Sequence, residues 1–156
     1  MAARIFQLNT SRGGVPKLPV REATIETNGL VGDVQKHTKI HGGPTRAVCL
    51  YSLERILELQ AEGHRIYPGS IGENITTVGV PWTVLEAGQR WAVGGVILQL
   101  VKPTDPCKNI AASFIGGDFK RVDHRNDAPP GWARWYASVE RGGVVCVGDP
   151  IERLLL

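Results

Sequence analysis

The sequence is short of cysteine, of long apolar runs and of excess charge, and each shortage narrows what the protein can be. Cys49, Cys107 and Cys146 are odd in number and far apart, and no CxxC pair occurs. Neither a zinc ribbon nor a thioredoxin-type motif is therefore on offer. Isolated thiols of this kind suit a reducing compartment. No run approaches the ~18 apolar residues of a membrane span. The N-terminal MAARIFQLNT lacks the apolar core of a secretory signal. These features lead us to expect a cytoplasmic protein with no membrane contact. Eighteen basic residues against 15 acidic ones give a net charge of only +3. That is too mild to argue for a nucleic-acid partner, which needs a clustered basic face. Aromatics make up 6% of the chain and do not alternate with basic residues, so a base-stacking surface has no support. The motifs GxxxxGK[ST], GxGxxG, GxSxG and HExxH are absent. Nucleotide, dinucleotide, serine-hydrolase and zincin chemistries thereby lose their main support.

What the chain does hold is glycine (19) and proline (10) in a length of 156 residues. That length fits one domain, 1–156, with a core of its own. Frequent turns favour short strands over long helices. Strand patterns fall at Ile5–Leu8, Ala23–Thr27, Ala47–Tyr51, Gln89–Val93, Val96–Val101, Arg134–Glu140, Val144–Val147 and Ile151–Leu155. Gly94-Gly95 and Gly142-Gly143 each sit between apolar runs, which predicts two hairpins. Ser52 is a candidate N-cap for a helix over Leu53–Glu62, with Gly63 as its stop. A short helix is expected over Ile110–Phe114. Pro68–Thr77 reads as a loop. No repeat, low-complexity tract or linker is present. Eight to ten short strands with few helices predict a mostly β fold, a closed or nearly closed β-barrel with a few short helices, since closure removes exposed edges.

The chemistry concentrates at Pro103-Thr104-Asp105-Pro106-Cys107-Lys108-Asn109. Here a strand pattern delivers a cysteine at its end, where small-molecule sites often lie. Lys102 and Lys108 favour the thiolate, the form that acts as nucleophile and metal ligand; Asp105 opposes it. The competing reading makes Cys107 a small buried hydrophobe. His41-Gly42-Gly43-Pro44-Thr45-Arg46 offers close backbone approach through its glycines and a planar anion fork in Arg46. His37 and His41 lie four apart, a metal-ligand spacing on a helix, but the glycines and proline that follow argue against a helix there. Gly69-Ser70-Ile71-Gly72-Glu73-Asn74 is either a turn capped by its own Glu73 and Asn74 or a place where Asn74 reads a heterocycle edge. Arg12, Lys17, Lys36, Lys39, Arg46, Lys102 and Lys108 would make an anion pocket only if their loops converge. Trp91 and Trp135 are expected in the core, Trp132 beside Pro129-Pro130-Gly131 as a lid residue, and Cys49 and Cys146 inside apolar strands.

Taken in order, Gly29-Leu30-Val31-Gly32-Asp33, His41–Val48, Gly69–Ile75 and Pro103–Cys107 resemble the MOSC domain, named for the C-terminal domain of molybdenum cofactor sulfurase. Gly14-Val15-Pro16-Lys17 resembles the stand-alone YiiM-like type. The resemblance covers residues 5 to 155. It implies a β-barrel that binds molybdenum cofactor, with Cys107 as thiolate ligand to the metal or as sulfur carrier. It implies that Gly42, Gly43, Arg46 and Lys108 hold the pterin phosphate or substrate, and that Glu73 and Asn74 sit beside the cofactor. His41 is a candidate proton donor, since an imidazole titrates near neutrality. Members of the family reduce N-hydroxylated small molecules with electrons from a partner, here a separate flavin or iron–sulfur protein, because this chain has no electron-transfer group of its own. Relatives often carry an arginine shortly before the cysteine, where Thr104 and Asp105 stand here. Two rival readings remain open. One is a sulfur-transfer protein with a Cys107 persulfide, supplied by a pyridoxal-phosphate enzyme. The other is a cofactor carrier without chemistry of its own.

Overall fold

Eleven strands and one α-helix make up the regular structure of a computed structural model that describes residues 2–34, 43–126 and 131–155. The strands are β1 (Arg4–Thr10), β2 (Leu18–Val20), β3 (Glu22–Glu26), β4 (Gly29–Leu30), β5 (Val48–Ser52), β6 (Ile75–Val78), β7 (Arg90–Val93), β8 (Val96–Pro103), β9 (Trp135–Arg141), β10 (Gly143–Cys146) and β11 (Ile151–Leu154). The helix, α1, spans Leu53–Ala61. Short 3-10 turns, including one over Lys108–Ser113, fill the segment between β8 and β9.

The strands form two sheets. The large one runs β11-β7-β8-β9-β5-β6-β1-β2 and the small one β10-β3-β4. The fold is mostly β with few short helices, as expected, and the closed form of the expected barrel is corrected: neither sheet closes on itself. The reason lies in β1, whose free edge is shared. Leu8, Asn9 and Thr10 pair with β2, which leaves only the start of β1 for the other end of the sheet. There a single isolated bridge joins Arg4 to Pro150, and Pro150 has no N–H with which to extend a ladder. Bonds from Ile5 N to Asp149 O (2.9 Å) and from Ile151 N to Ala3 O (3.0 Å) flank that bridge.

The hairpin expected at Gly142-Gly143 is also corrected. Strand β9 already has partners on both edges, β8 and β5. β10 therefore crosses to the small sheet and pairs with β3. The Gly94-Gly95 hairpin forms as expected, with Val93 opposite Val96. Pro68–Thr77 is not all loop, since its end enters β6. That strand is parallel to β5, with α1 as the crossover, and its four residues are all buried. Helix α1 begins as expected: Ser52 Oγ accepts from Arg55 N at 3.1 Å. Ile56 and Leu59 face the core.

One core cluster unites both sheets, from Ile5 and Leu8 through Ile75 and Leu98 to Val145. Trp91 and Trp135 are in it. Trp132, expected as a lid, is buried too. The guanidinium groups of Arg55 and Arg121 lie 4.3 and 3.8 Å from its ring centroid, and its carbonyl accepts from Tyr51 Oη at 2.7 Å. Cys146 is corrected in the opposite sense. It is exposed, because β10 turns alternate residues outward and only Val145 faces the core.

Candidate active site

Strand register decides which side chains meet beside Cys107. Cys49 of β5 stands opposite Tyr136 of β9, and Leu50 opposite Trp135. Side chains alternate between faces along a strand. Cys49, Tyr136 and Arg134 therefore emerge on one face of the sheet. Leu50 and Trp135 emerge on the other, where both line an apolar cavity. The segment after β8 carries Cys107 over the first face, and all four residues line one pocket. The pocket has about 640 Å³ of empty space out to its mouth, of which about 70 Å³ admits the centre of a water molecule. A small group fits within the described walls, and anything larger must extend through the mouth.

Cys107 is half-buried, so its thiol is reachable from solvent through the pocket. Cys49 is buried, as expected, yet it shares this wall with Cys107. Burial pushes the Cys49 thiol up to about 11, which Arg134 partly offsets. Burial likewise pushes the Tyr136 hydroxyl up to about 12. At neutral pH both therefore keep their protons. Arg46 leaves its 3-10 turn with its guanidinium 5.9 Å from the Tyr136 ring centroid, in cation–π range. Arg134 is 7% exposed and donates from Nη1 to Ile71 O at 2.8 Å.

The other sequence motifs are joined to one another behind this pocket. Lys17, which lines the pocket, donates to both oxygens of Asp33 at 2.7 and 2.6 Å. Asn74 spans the same network. Its Nδ2 donates to Asp33 Oδ2 at 2.9 Å and its Oδ1 accepts from Cys49 N at 3.0 Å. Both ends of the Asn74 amide are thus committed to the protein. Glu73 is fully buried, with Oε2 accepting from Thr76 Oγ1 at 2.9 Å and Oε1 left without a partner. Desolvation raises its carboxyl above the ordinary range. The loop that carries these two residues is stitched to the pocket by Lys17 N donating to Gly69 O at 2.8 Å. A side chain at Gly69, where φ is +88°, would strike the Lys17 carbonyl.

The structure thus brings Cys107 and Arg46 together and leaves several other expected residues apart. Glu73 and Asn74 do not line the pocket. Neither does Lys108, which is exposed at the start of the turn after Cys107. Gly43 is exposed and caps the turn that ends at Arg46. His37, Lys39, His41 and Gly42 lie outside the described residues. Asp105 is drawn to His124 Nε2 at 2.8 Å and to Arg125 Nε at 3.9 Å. Arg134, Tyr136 and Cys49 are pocket residues that motif reading missed. The one available signal was the period-2 spacing of Arg134 and Tyr136, which reads equally as a half-buried strand.

Residues 37–152 match the family model of the MOSC domain. The chain belongs to the MOSC domain family. It is 30% identical over 128 residues to Protein YiiM of Escherichia coli (strain K12), covering 80% of this chain and 55% of that protein. It is 28% identical over 103 residues to the uncharacterized protein YflK of Bacillus subtilis (strain 168), covering 65% and 47%. This MOSC chain thus spans about half the length of the curated relatives it matches. The crystal structure of YiiM from Escherichia coli superposes with a TM-score of 0.75 at 25% identity, over 100% of this chain and 71% of that one. YiiM from Geobacillus stearothermophilus gives a TM-score of 0.78 at 21% identity, over 98% and 75%. The YiiM-like resemblance is therefore borne out. MOSC domains are associated in general with molybdenum-cofactor binding.

Whether this pocket suits such a group can be tested on its donors. Cysteine sulfur is the ligand type that soft metal centres select, and Cys107 lines the pocket. Arg46 supplies a cation that matches a phosphate. The buried Nε of Arg134, which lines the pocket, lacks a partner, as polar groups awaiting a ligand or water do. The donor set fits.

Proposed function

We propose that this pocket binds molybdenum cofactor and that the loaded protein reduces N-hydroxylated compounds, with electrons from a separate flavin or iron–sulfur protein. The net change is N–OH + 2 H⁺ + 2 e⁻ giving N–H + H₂O. The observation that carries the reading is a reachable thiol, Cys107, in a pocket with two guanidinium groups. When bound, the cofactor supplies a two-electron redox centre. Cys107 would hold its metal, and Arg46, less buried than Arg134, would take the pterin phosphate. Tyr136, which keeps its proton at neutral pH, lines the pocket that an N–OH group would enter. His41 is the proposed proton source, and a small N-hydroxylated molecule the proposed substrate.

The test is molybdenum and pterin content of protein purified from a host with an intact cofactor pathway, beside Cys107→Ser. Near-stoichiometric molybdenum, lost together with reduction in a folded Cys107→Ser variant, is the expected result. Full activity with molybdenum bound in that variant would overturn the assignment. Molybdenum retained by wild type without reduction by an artificial electron donor would leave a carrier module. A second reading is favoured by the second thiol, Cys49, on the same wall: sulfur transfer through a Cys107 persulfide received from a pyridoxal-phosphate enzyme. Absence of metal and pterin, with persulfide detected on Cys107, would select it.

A further inference from the structure

We propose that the floor of the pocket is an oxyanion subsite built on Arg134, which binds a phosphate or carboxylate group of the ligand through the Nε edge of its guanidinium. Three observations carry this. First, Arg134 is more than nine-tenths buried and lines the pocket. Buried guanidinium groups are nearly always paired, yet no carboxylate among the described residues forms an ion pair with this one. Second, its guanidinium makes one hydrogen bond, from Nη1 to Ile71 O, and its Nε–H is buried with no acceptor. Bonding through Nη1 fixes the plane of the fork and leaves the opposite edge, Nε with Nη2, unused. That edge is the one arginine presents to planar oxyanions in two parallel bonds.

Third, no ion pair among the described residues cancels the charge of Arg134. Lys17 is neutralised by Asp33 at 2.6 Å, and Arg46 lies toward the Tyr136 ring. The Glu73 carboxyl feels the charge of Arg134, but its Oε1 is unpartnered and the two form no ion pair. Burial disfavours the ionised form of that carboxyl, which leaves the guanidinium charge to an incoming anion. The subsite refines the cofactor reading by naming a second anchor, below Arg46. It does not depend on a metal.

The test uses the protein without cofactor. Cys107 is alkylated by iodoacetate, which is anionic, and by iodoacetamide, which is neutral, and modification is followed at the Cys107 peptide by mass spectrometry. In wild type the iodoacetate-to-iodoacetamide rate ratio should exceed that of a free thiol by on the order of tenfold, the scale of one nearby charge in a partly screened pocket. Arg134→Met should bring the ratio to the free-thiol value while iodoacetamide still reacts, and Arg134→Lys should keep part of the excess. Inorganic phosphate or acetate should protect Cys107 in wild type and not in Arg134→Met. Protection by phosphate alone would name a phosphate-bearing ligand, and protection by acetate as well a carboxylate. An unchanged ratio in folded Arg134→Met would overturn the proposal. So would protection by neither anion, which would mean that Nε is bonded to water only. A ratio lost in Arg46→Met but kept in Arg134→Met would place the subsite at the mouth instead. If Arg134→Met does not fold, Arg134→Lys carries the test, and a full wild-type ratio with no phosphate protection would overturn it. Because no readout involves molybdenum, failure here and failure of the cofactor reading can be told apart.

Discussion

Asp33→Asn removes one charge from the network behind the pocket and leaves the side chain nearly the same size. In the wild-type structure the Lys17 and Asp33 side chains are 6% and 3% exposed. Asp33 accepts from Lys17 Nζ, from Ser11 N at 2.9 Å and from Asn74 Nδ2 at 2.9 Å. Asparagine can keep an oxygen toward one of these donors but leaves the ammonium buried without its counter-charge. Breaking a buried pair from one side costs about 3–5 kcal/mol. An upper bound follows independently: a lysine with the reference pKa of about 10.4 can shed its proton at pH 7 for about 4.6 kcal/mol. The two figures agree, and a loss of about 4 kcal/mol is expected. With a urea slope of about 2 kcal/mol per molar for a domain of this size, the unfolding midpoint should fall by about 2 M. Adding Lys17→Met should recover at least half the loss, since the stranded charge is then gone. Gly14, Val15 and Lys17 line the pocket, so the single variant should also change the alkylation rate of Cys107. A loss below about 1 kcal/mol in Asp33→Asn, or no recovery in the double variant, would refute the reasoning.

Two further outcomes follow from the buried titratable groups. Cys49 should resist alkylation at pH 7.5 while Cys107 and Cys146 react, and should become modified only as the pH approaches 11, where its thiolate forms; peptide mapping across pH reads this directly, and equal rates for Cys49 and Cys146 at pH 7.5 would contradict it. Its folded value is raised from 9.0 to about 11. The stabilisation it contributes is therefore full below pH 9 and lost as pH rises toward 11, a decline that Cys49→Ala should lessen in thermal melts. Glu73 carries a raised carboxyl for the same reason, burial. Its stabilising contribution is present below the ordinary carboxyl range near 4.5 and is lost as pH rises through the folded value. Glu73→Gln should abolish that loss and be at least as stable as wild type at pH 7; a variant less stable at pH 7 than at pH 4, by the same margin as wild type, would show that Glu73 is not the group responsible.

Some of this site is legible along the chain because its signals are local. The thiol at the end of β8 is announced by an apolar run followed by Pro103 and Pro106. The α1 cap at Ser52 depends on residues within four positions of one another. Polar β6 carries no strand signal of its own along the chain, because its Ile-Thr-Thr-Val pattern becomes central strand only through β1 and β5 on either side. The apolar pattern of Val144–Val147 implies a core position for Cys146, but its face depends on pairing with β3, far away in the chain.

The sequence by itself determined the mostly β character, the α1 helix, the candidate cysteine after β8 and, through ordered motifs, the family. Tertiary structure alone decided that the large sheet stays open, since the contest for the free edge of β1 involves segments more than a hundred residues apart. It alone decided that Asn74, Asp33 and Lys17 brace the pocket from behind. It also decided that Arg134, Tyr136 and Cys49 face Cys107. Strand register sets which face each side chain takes, and a shift of one residue would turn them all away; register depends on long-range pairing that no local pattern records.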